Sequence, residues 1–299
     1  MTHSKITLGT AQLGLNYGIA NKTGKPDIER AYEILSLAQQ SGINCIDTAM
    51  SYGDSEVVIG KYLEQNSAWR PNIITKLKID VKDKNKLREK VNANIEQSVE
   101  RLRQDNIYCI MLHDFFDLIS YGEKLMEILL DIKSKGKVLK IGVSVYSDQE
   151  LAKALEYPEL EIFQGPVNVF DQRIVHSGLL NDIKAQGKEF FARSVFLQGL
   201  FFLEGKKFFE RILEALFYIN KLSKLASEYN LSVPEIAFSY VKDNPKIHSL
   251  VLGIEIKKQL EDNVKLLNVM KLPRELKNEI TEIFLNIPEK VRDPRLWSK

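Results

Sequence analysis

Short β-branched, apolar runs alternate with longer amphipathic segments along the whole 299-residue chain, and that alternation leaves few folds open. Eight strand-length runs recur: Ile6–Ala11, Ile43–Ala49, Asn72–Leu77, Tyr108–His113, Leu139–Ser144, Ile162–Asn168, Glu189–Val195 and Ser249–Gly253. Each is nearly continuous in apolar residues, as parallel strands covered on both faces must be. The intervening segments carry helical spacing. Ile28, Ala31, Leu35 and Ala38 lead to a stop at Gly42, and Leu87, Val91, Ile95, Val99 and Leu102 repeat the pattern. Leu125, Ile128, Leu129 and Ile132 do the same before Gly136. Ser232 and Glu235 form a capping box at a helix start.

Eight strand–helix units with right-handed crossovers predict an α/β fold, a (β/α)8 or TIM barrel. Residues 1–299 are expected to form one domain, with an extra helix between strands seven and eight inside Lys206–Asn244 and a C-terminal helix at Pro273–Leu285. The segment 286–299 is left either as a tail or as a lid over the barrel mouth. The rival is a doubly wound dinucleotide-binding sheet, which needs Gly-x-Gly-x-x-Gly after the first strand. This chain offers only Gly9-Thr-Ala-Gln-Leu-Gly14 there.

The charges nearly cancel, 42 Lys and Arg against 40 Asp and Glu, and no basic block stands out, so nucleic acid is not expected as a partner. No apolar stretch is long enough for a membrane span, and no apolar signal segment precedes the first strand, so the expectation is a cytoplasmic protein. Cys45 and Cys109 each lie in an apolar run and read as core residues, and His3, His113, His176 and His248 show no metal-ligand spacing. Oligomeric state is not legible.

Active sites of such barrels lie at the C-terminal ends of the strands. Those ends here carry Thr10, Asp47 with Thr48, Lys76, His113 with Asp114, Ser144, Gln164 with Asn168, Arg193 with Ser194, and Gly253. Exposed strand ends are commonly polar, which accounts for any one of them; Asp, Lys and His on three consecutive strands are harder to explain in that way.

Around the second strand the sequence is more specific: Asp47-Thr-Ala, then Tyr52-Gly, then Ser55-Glu56 and Gly60. Further motifs follow in order: Thr75-Lys76, Leu112-His113-Asp114, Ile141-Gly-Val-Ser144, Gln164 with Asn168, Arg193-Ser194 with Gln198-Gly199-Leu200, and Gly253 with Gln259 and Asn263. In these motifs the chain resembles the aldo/keto reductases from about Lys5 to Asn268. The resemblance implies reduction of an aldehyde or ketone by NAD(P)H, with Asp47, Tyr52, Lys76 and His113 as the catalytic tetrad. The residue chemistry agrees. A phenol of pKa about 10 is a weak acid at neutral pH, and a neighbouring ammonium stabilises its phenolate. Lys76 is the candidate cation, Asp47 its anchor, and His113 the group that orients the carbonyl or relays the proton.

The resemblance also implies a cofactor cradle. Ser144 and Gln164 match positions that bond the nicotinamide carboxamide, Thr10 lies near its ribose, Asp47 is a further cofactor contact, and Ser194, Leu197 and Gly199 match the loop that wraps the pyrophosphate. Gly253 and Glu255 open the adenosine segment, where Gln259 and Asn263 face the adenine and its ribose. Two positions depart from the family pattern. Val145 stands where Asn is usual, and Arg193 stands where an aromatic ring commonly stacks on the nicotinamide; a planar guanidinium can stack there too. NADP(H) is placed ahead on family grounds with NAD(H) as the alternative, because Glu255 disfavours a 2′-phosphate whereas Lys257 and Lys258 favour one. No metal is expected. Two other readings stay open: a Schiff-base lyase or aldolase using Lys76 as nucleophile, and a cofactor-sensing regulatory subunit with little turnover.

Overall fold

The computed structural model describes residues 3–297 apart from 22, 82 and 204–212. Eight parallel strands close on themselves in sequence order: β1 (Ile6–Gly9), β2 (Cys45–Asp47), β3 (Asn72–Leu77), β4 (Ile107–Leu112), β5 (Val138–Ser144), β6 (Ile162–Pro166), β7 (Glu189–Arg193) and β8 (Ser249–Gly253). The closing pair runs from Ile6 opposite Leu250 to Gly9 opposite Gly253. The expected (β/α)8 barrel is therefore present.

Helices α1 (Ile28–Gln40), α2 (Ser55–Gln65), α3 (Leu87–Leu102), α4 (Phe115–Ser134), α5 (Asp148–Ala154) and α6 (Leu179–Ala185) cover the first six crossovers. Among the described residues the helices between β7 and β8 are α7 (Leu213–Glu228) and α8 (Val233–Lys242); the part of the expected Lys206–Asn244 span before 213 is outside the described residues. The capping box at the start of α8 forms as expected, with Ser232 Oγ accepting from Glu235 N and Glu235 Oε2 accepting from Ser232 N at 2.7 Å. Helix α9 (Lys257–Leu266) follows β8, and α10 (Arg274–Phe284) is the predicted last helix.

Three apolar clusters hold this arrangement. Cys45, Ile74, Cys109, Met111, Ile162 and Phe191 fill the barrel interior, so both cysteines are free, buried core residues. A larger cluster packs the outer strand faces against the helices. A third joins Val169 and Phe170 after β6, Leu197 and Leu200 after β7, helices α7, α8 and α10, and the C-terminal residues Val291 and Trp297.

The interior cluster fixes what faces the mouth. Side chains on one face of a strand recur every second residue. Two residues on from Cys45, Ile74, Ile162 and Phe191 come Asp47, Lys76, Gln164 and Arg193, so the interior layer continues into a polar ring at the C-terminal end.

Candidate active site

The chain turns sharply after β1 and β2, which end at Gly9 and Asp47, short of the predicted Ala11 and Ala49. The loop after β2 packs main chain to main chain against the helical turn Ala11–Gly14: a Cβ on Gly14 would overlap the carbonyl oxygen of Tyr52. The motif serines and threonines hold this corner. Ser55 Oγ donates within reach of Thr10 O at 3.0 Å and Thr10 Oγ1 at 2.9 Å, and accepts from Thr48 Oγ1 at 3.1 Å. Buried Glu56 accepts from Thr75 Oγ1 at 2.7 Å, tying α2 to β3 beside Lys76. Tyr52 is thus placed by backbone contact, and Gly14→Ala is expected to displace it. A shift of about 1 Å at a reacting group costs on the order of 10²-fold in rate. Turnover of the variant is the measurement.

The structure brings Asp47, Tyr52, Lys76 and His113 together. Lys76, 2% exposed, sends its Nζ to both Asp47 carboxylate oxygens at 2.5 and 2.6 Å and to Thr48 O at 3.3 Å. The same ammonium lies 5.2 Å from the Tyr52 ring centroid, close enough for its charge to act on the phenol. Tyr52 meets the His113 ring edge to face at 5.7 Å. Gln164 Nε2 donates to Asp47 Oδ1 at 2.7 Å, so the carboxylate is held from two strands.

Burial on its own would lower the Lys76 pKa, but Asp47 and Tyr52 outweigh it and the ammonium is held more firmly than usual. Burial raises Tyr52 above the ordinary phenol value, partly offset by Lys76. Burial, and then Lys76 and Arg193, push His113 down to about 3, so its imidazole is neutral at physiological pH. Its Nδ1 lies 3.2 Å from Ser51 Oγ, which leaves Nε2 for another partner.

The strand-end residues named for a cofactor divide into two groups. Ser144, Gln164, Arg193 and Ser194 lie at the mouth, on or beside β5, β6 and β7. Thr10 does not open onto it: wholly buried, its hydroxyl donates to Asp47 O at 2.9 Å, so it is a wall behind the site. Leu197 and Gly199 belong to a loop with positive φ at Ser194, Leu197, Gln198 and Gly199, and the Leu197 side chain is buried in the third apolar cluster. Gln259 Oε1 accepts from Glu255 N at 2.8 Å, which turns its amide back onto the β8 loop, and Asn263 is buried on α9. Arg193 donates to Val145 O at 3.0 Å and Ser194 Oγ at 3.3 Å, with its guanidinium carbon 4.2 Å from the Tyr146 ring centroid.

Sequence spacing gave no sign of other mouth residues. Gln12 covers Gly253 so closely that a Cβ there would meet its amide, and its Oε1 is buried without a partner. The β1 connection reaches the loops after both β7 and β8: Gln198 Nε2 donates to Tyr17 OH at 3.0 Å, and Gly18 lies beside the Glu255 carboxylate. The C-terminal segment folds over the mouth, where Arg295 lies 3.8 Å from the Tyr146 ring centroid. Asp171 and Arg173 form a buried ion pair at 2.7 Å, and Arg173 also donates to Tyr146 O. The contacts of Gln12, Tyr17, Gly18 and Arg295 join residues more than a hundred positions apart.

The aldo/keto reductase family model matches residues 5–284, nearly the whole chain. The chain belongs to that family. It is an NAD(P)-dependent oxidoreductase. Similar proteins include the NADH-specific methylglyoxal reductase of Escherichia coli (strain K12), 26% identical over 304 residues that span 90% of this chain and 91% of that protein. The aldo-keto reductase YhdN of Bacillus subtilis (strain 168) is 28% identical over 285 residues, 86% of this chain and 83% of that one. Two solved structures share the fold. Aldo-keto reductase AKR11C1 from Bacillus halodurans, in its holo form, has a TM-score of 0.77 at 18% identity, covering 97% of this chain and 96% of its own. Glycerol dehydrogenase AKR11B4 from Gluconobacter oxydans has a TM-score of 0.73 at 24% identity, with 98% and 94% covered.

The mouth of this aldo/keto reductase fits a nicotinamide nucleotide. The buried Gln12 Oε1 lacks a donor, Ile256 at the start of helix α9 provides no side-chain cap, and the loop after β7 has positive φ at Ser194, Leu197, Gln198 and Gly199. Among the described residues no cluster of three or more His, Cys, Asp or Glu is placed to hold a metal ion, and no helix is long and apolar enough to cross a membrane.

Proposed function

We propose that this aldo/keto reductase reduces a small aldehyde or ketone to the alcohol, reversibly, with Tyr52 as the proton donor. The observation that carries this is the Lys76 ammonium, clamped by Asp47 and lying 5.2 Å from the Tyr52 ring centroid, where its charge acts on the phenol. A bound reduced nicotinamide supplies the hydride, which no side chain can. Tyr52 gives its phenolic proton to the carbonyl oxygen, and Lys76 stabilises the phenolate that remains. Asp47 transfers no proton; with Gln164 it keeps the ammonium against Tyr52. His113, being neutral, donates a hydrogen bond from Nε2 while Ser51 bonds Nδ1, and so orients the carbonyl. Ser144 and Gln164 take the carboxamide, Ser194, Leu197 and Gly199 take the pyrophosphate through their backbone, and Gly253, Gln259 and Asn263 flank the adenosine.

The lyase reading requires a neutral amine at Lys76, and the Asp47 clamp opposes it. The test of the proposed activity is loss of reduced-nicotinamide absorbance on adding a panel of aldehydes. Stable absorbance with every member would favour the regulatory-subunit reading.

The family resemblance put NADP(H) ahead, but the surroundings of Glu255 weigh towards NAD(H). Burial raises the pKa of its carboxyl, and no cation pairs with it among the described residues. Lys258 is drawn instead to Asp262 at 2.8 Å along α9. A carboxylate repels a 2′-phosphate and accepts hydrogen bonds from ribose hydroxyls. Glu255→Lys is expected to move the ratio of NADPH to NADH dissociation constants about tenfold towards NADPH, roughly 1.4 kcal/mol. An unchanged ratio would take Glu255 out of the choice.

A further inference from the structure

The mouth holds a small cavity of about 60 Å³, walled by Tyr146 after β5 and by Pro166 and Arg193 at the ends of β6 and β7, and roofed by the C-terminal segment. Four arginines line it, Arg173, Arg193, Arg292 and Arg295, against two aspartates, Asp171 and Asp293. The aspartates are already engaged. Asp171 takes Arg173 at 2.7 and 2.8 Å, and Asp293 takes Arg295 through three contacts of 2.6 to 3.0 Å. Arg193 and Arg292 have no carboxylate partner among the described residues. Arg193 spends its bonds on Val145 O and Ser194 Oγ. Arg292 makes one long bond, to Ile287 O at 3.3 Å, and its Nε is buried without an acceptor.

Two guanidinium groups without counter-charges, in a half-closed cavity, call for an anion, because desolvated charge is costly unless paired. The volume limits its size. A water needs roughly 10–15 Å³ of such space, so the cavity holds a group of a few heavy atoms. Tyr146 fixes the cavity's shape, with Arg193 and Arg295 both over its ring at 4.2 and 3.8 Å. The cavity also adjoins the chemistry: the Arg193 charge acts on Tyr52, His113 and the Tyr17 hydroxyl.

Resting on the carbonyl-reductase reading, we propose that this cavity is a carboxylate subsite, so that the preferred substrate is an oxo-carboxylic acid and Arg292 is the residue that selects it. A carboxylate accepts paired N–H donors from guanidinium groups. A neutral aldehyde leaves the two arginines unpaired, which is how such a site discriminates. The tail turn Glu289–Arg292 carries Arg292, and buried Val291 and Trp297 anchor it.

The experiment uses the holoenzyme with reduced nucleotide and compares 4-oxobutanoate with its methyl ester, along with homologues one carbon shorter and longer. Wild type is expected to favour an acid over its ester by about tenfold in kcat/KM. Arg292→Gln removes that preference while ester turnover stays within about threefold, and Arg292→Lys keeps part of it. Arg295→Gln, which leaves Asp293 facing the cavity, weakens the acid further. Equal rates for acid and ester in wild type at every chain length overturn the proposal. So does an equal loss for acid and ester in Arg292→Gln, the mark of a structural role. A rise only in the nucleotide dissociation constant also overturns it, by assigning the arginines to the cofactor's phosphates. If no carbonyl compound oxidises the reduced nucleotide, the activity reading fails, and the subsite is read by calorimetric titration of the oxidised-nucleotide complex with butanoate. Binding that weakens about tenfold in Arg292→Gln supports the subsite, and no binding to wild type overturns it.

Discussion

Tyr52→Phe is expected to lower carbonyl turnover by about 10²–10⁴ while the nucleotide dissociation constant stays within a few-fold, the effect of removing a general acid. The substitution deletes one oxygen and leaves the ring in place, edge to face with His113 and beneath Lys76. Asp47 still clamps the ammonium, so the fold is not at risk. The wild-type pH profile provides a second check. The acid must be protonated to act, and burial raises its pKa above the ordinary phenol value. Reduction should therefore hold across neutral pH and fall only in strongly alkaline solution, whereas the reverse oxidation gains there. Steady-state rates in both directions, with cofactor affinity from fluorescence titration, read all three quantities. Near-normal turnover in the variant would remove Tyr52 from its role.

Lys76→Met is expected to be the most damaging substitution, acting on chemistry and stability together. It removes the cation that stabilises the phenolate, so turnover falls at least as far as in Tyr52→Phe. It also strands the Asp47 carboxylate, 3% exposed, with Gln164 as its remaining side-chain partner. Breaking a buried pair from one side costs about 3–5 kcal/mol. The sign with pH follows. An uncompensated buried carboxylate has a folded-state pKa above its unfolded one, so the folded variant binds the extra proton as pH falls, and its deficit against wild type narrows in acid. The double variant Lys76→Met with Asp47→Asn removes both charges and is expected to recover most of the stability and none of the activity. Denaturant midpoints at two pH values, set beside the rates, separate the two effects. A double variant as unstable as the single one would show that the clamp is not the source of the loss.

The barrel was legible because its strands are buried on both faces, and burial on both faces writes itself into sequence as unbroken runs such as Ile162–Asn168. Strand ends were less so. At Gly9 and Asp47 the chain leaves the ladder for packing between the first two loops, and apolar composition does not register that. Asp47, Lys76 and His113 were legible because each sits at or next to a strand end, where position along the chain gives position at the mouth; Tyr52, five residues beyond β2, was reached through the motif alone. Thr10 stands at a strand end too, but its hydroxyl turns to the chain behind it, a choice made by Ser55 and Asp47 and invisible in a motif. The arginine-lined cavity was out of reach altogether. It depends on Arg292 and Arg295 meeting Tyr146 across about half the chain, a tertiary event with no local periodicity.

The apolar cluster that seats the C-terminal turns is separate from the one inside the strands and from the one that packs the strands against helices α1–α6, α9 and one side of α8. Residues 286–297 are therefore supported by α7, α8 and α10, not by the barrel wall. Sequence drift in that annex can redraw the rim above Tyr146 while Asp47, Lys76 and the eight strands stay as they are. The molecule divides its inheritance accordingly: one part of the chain preserves a reaction, and another is at liberty to explore which molecules reach it.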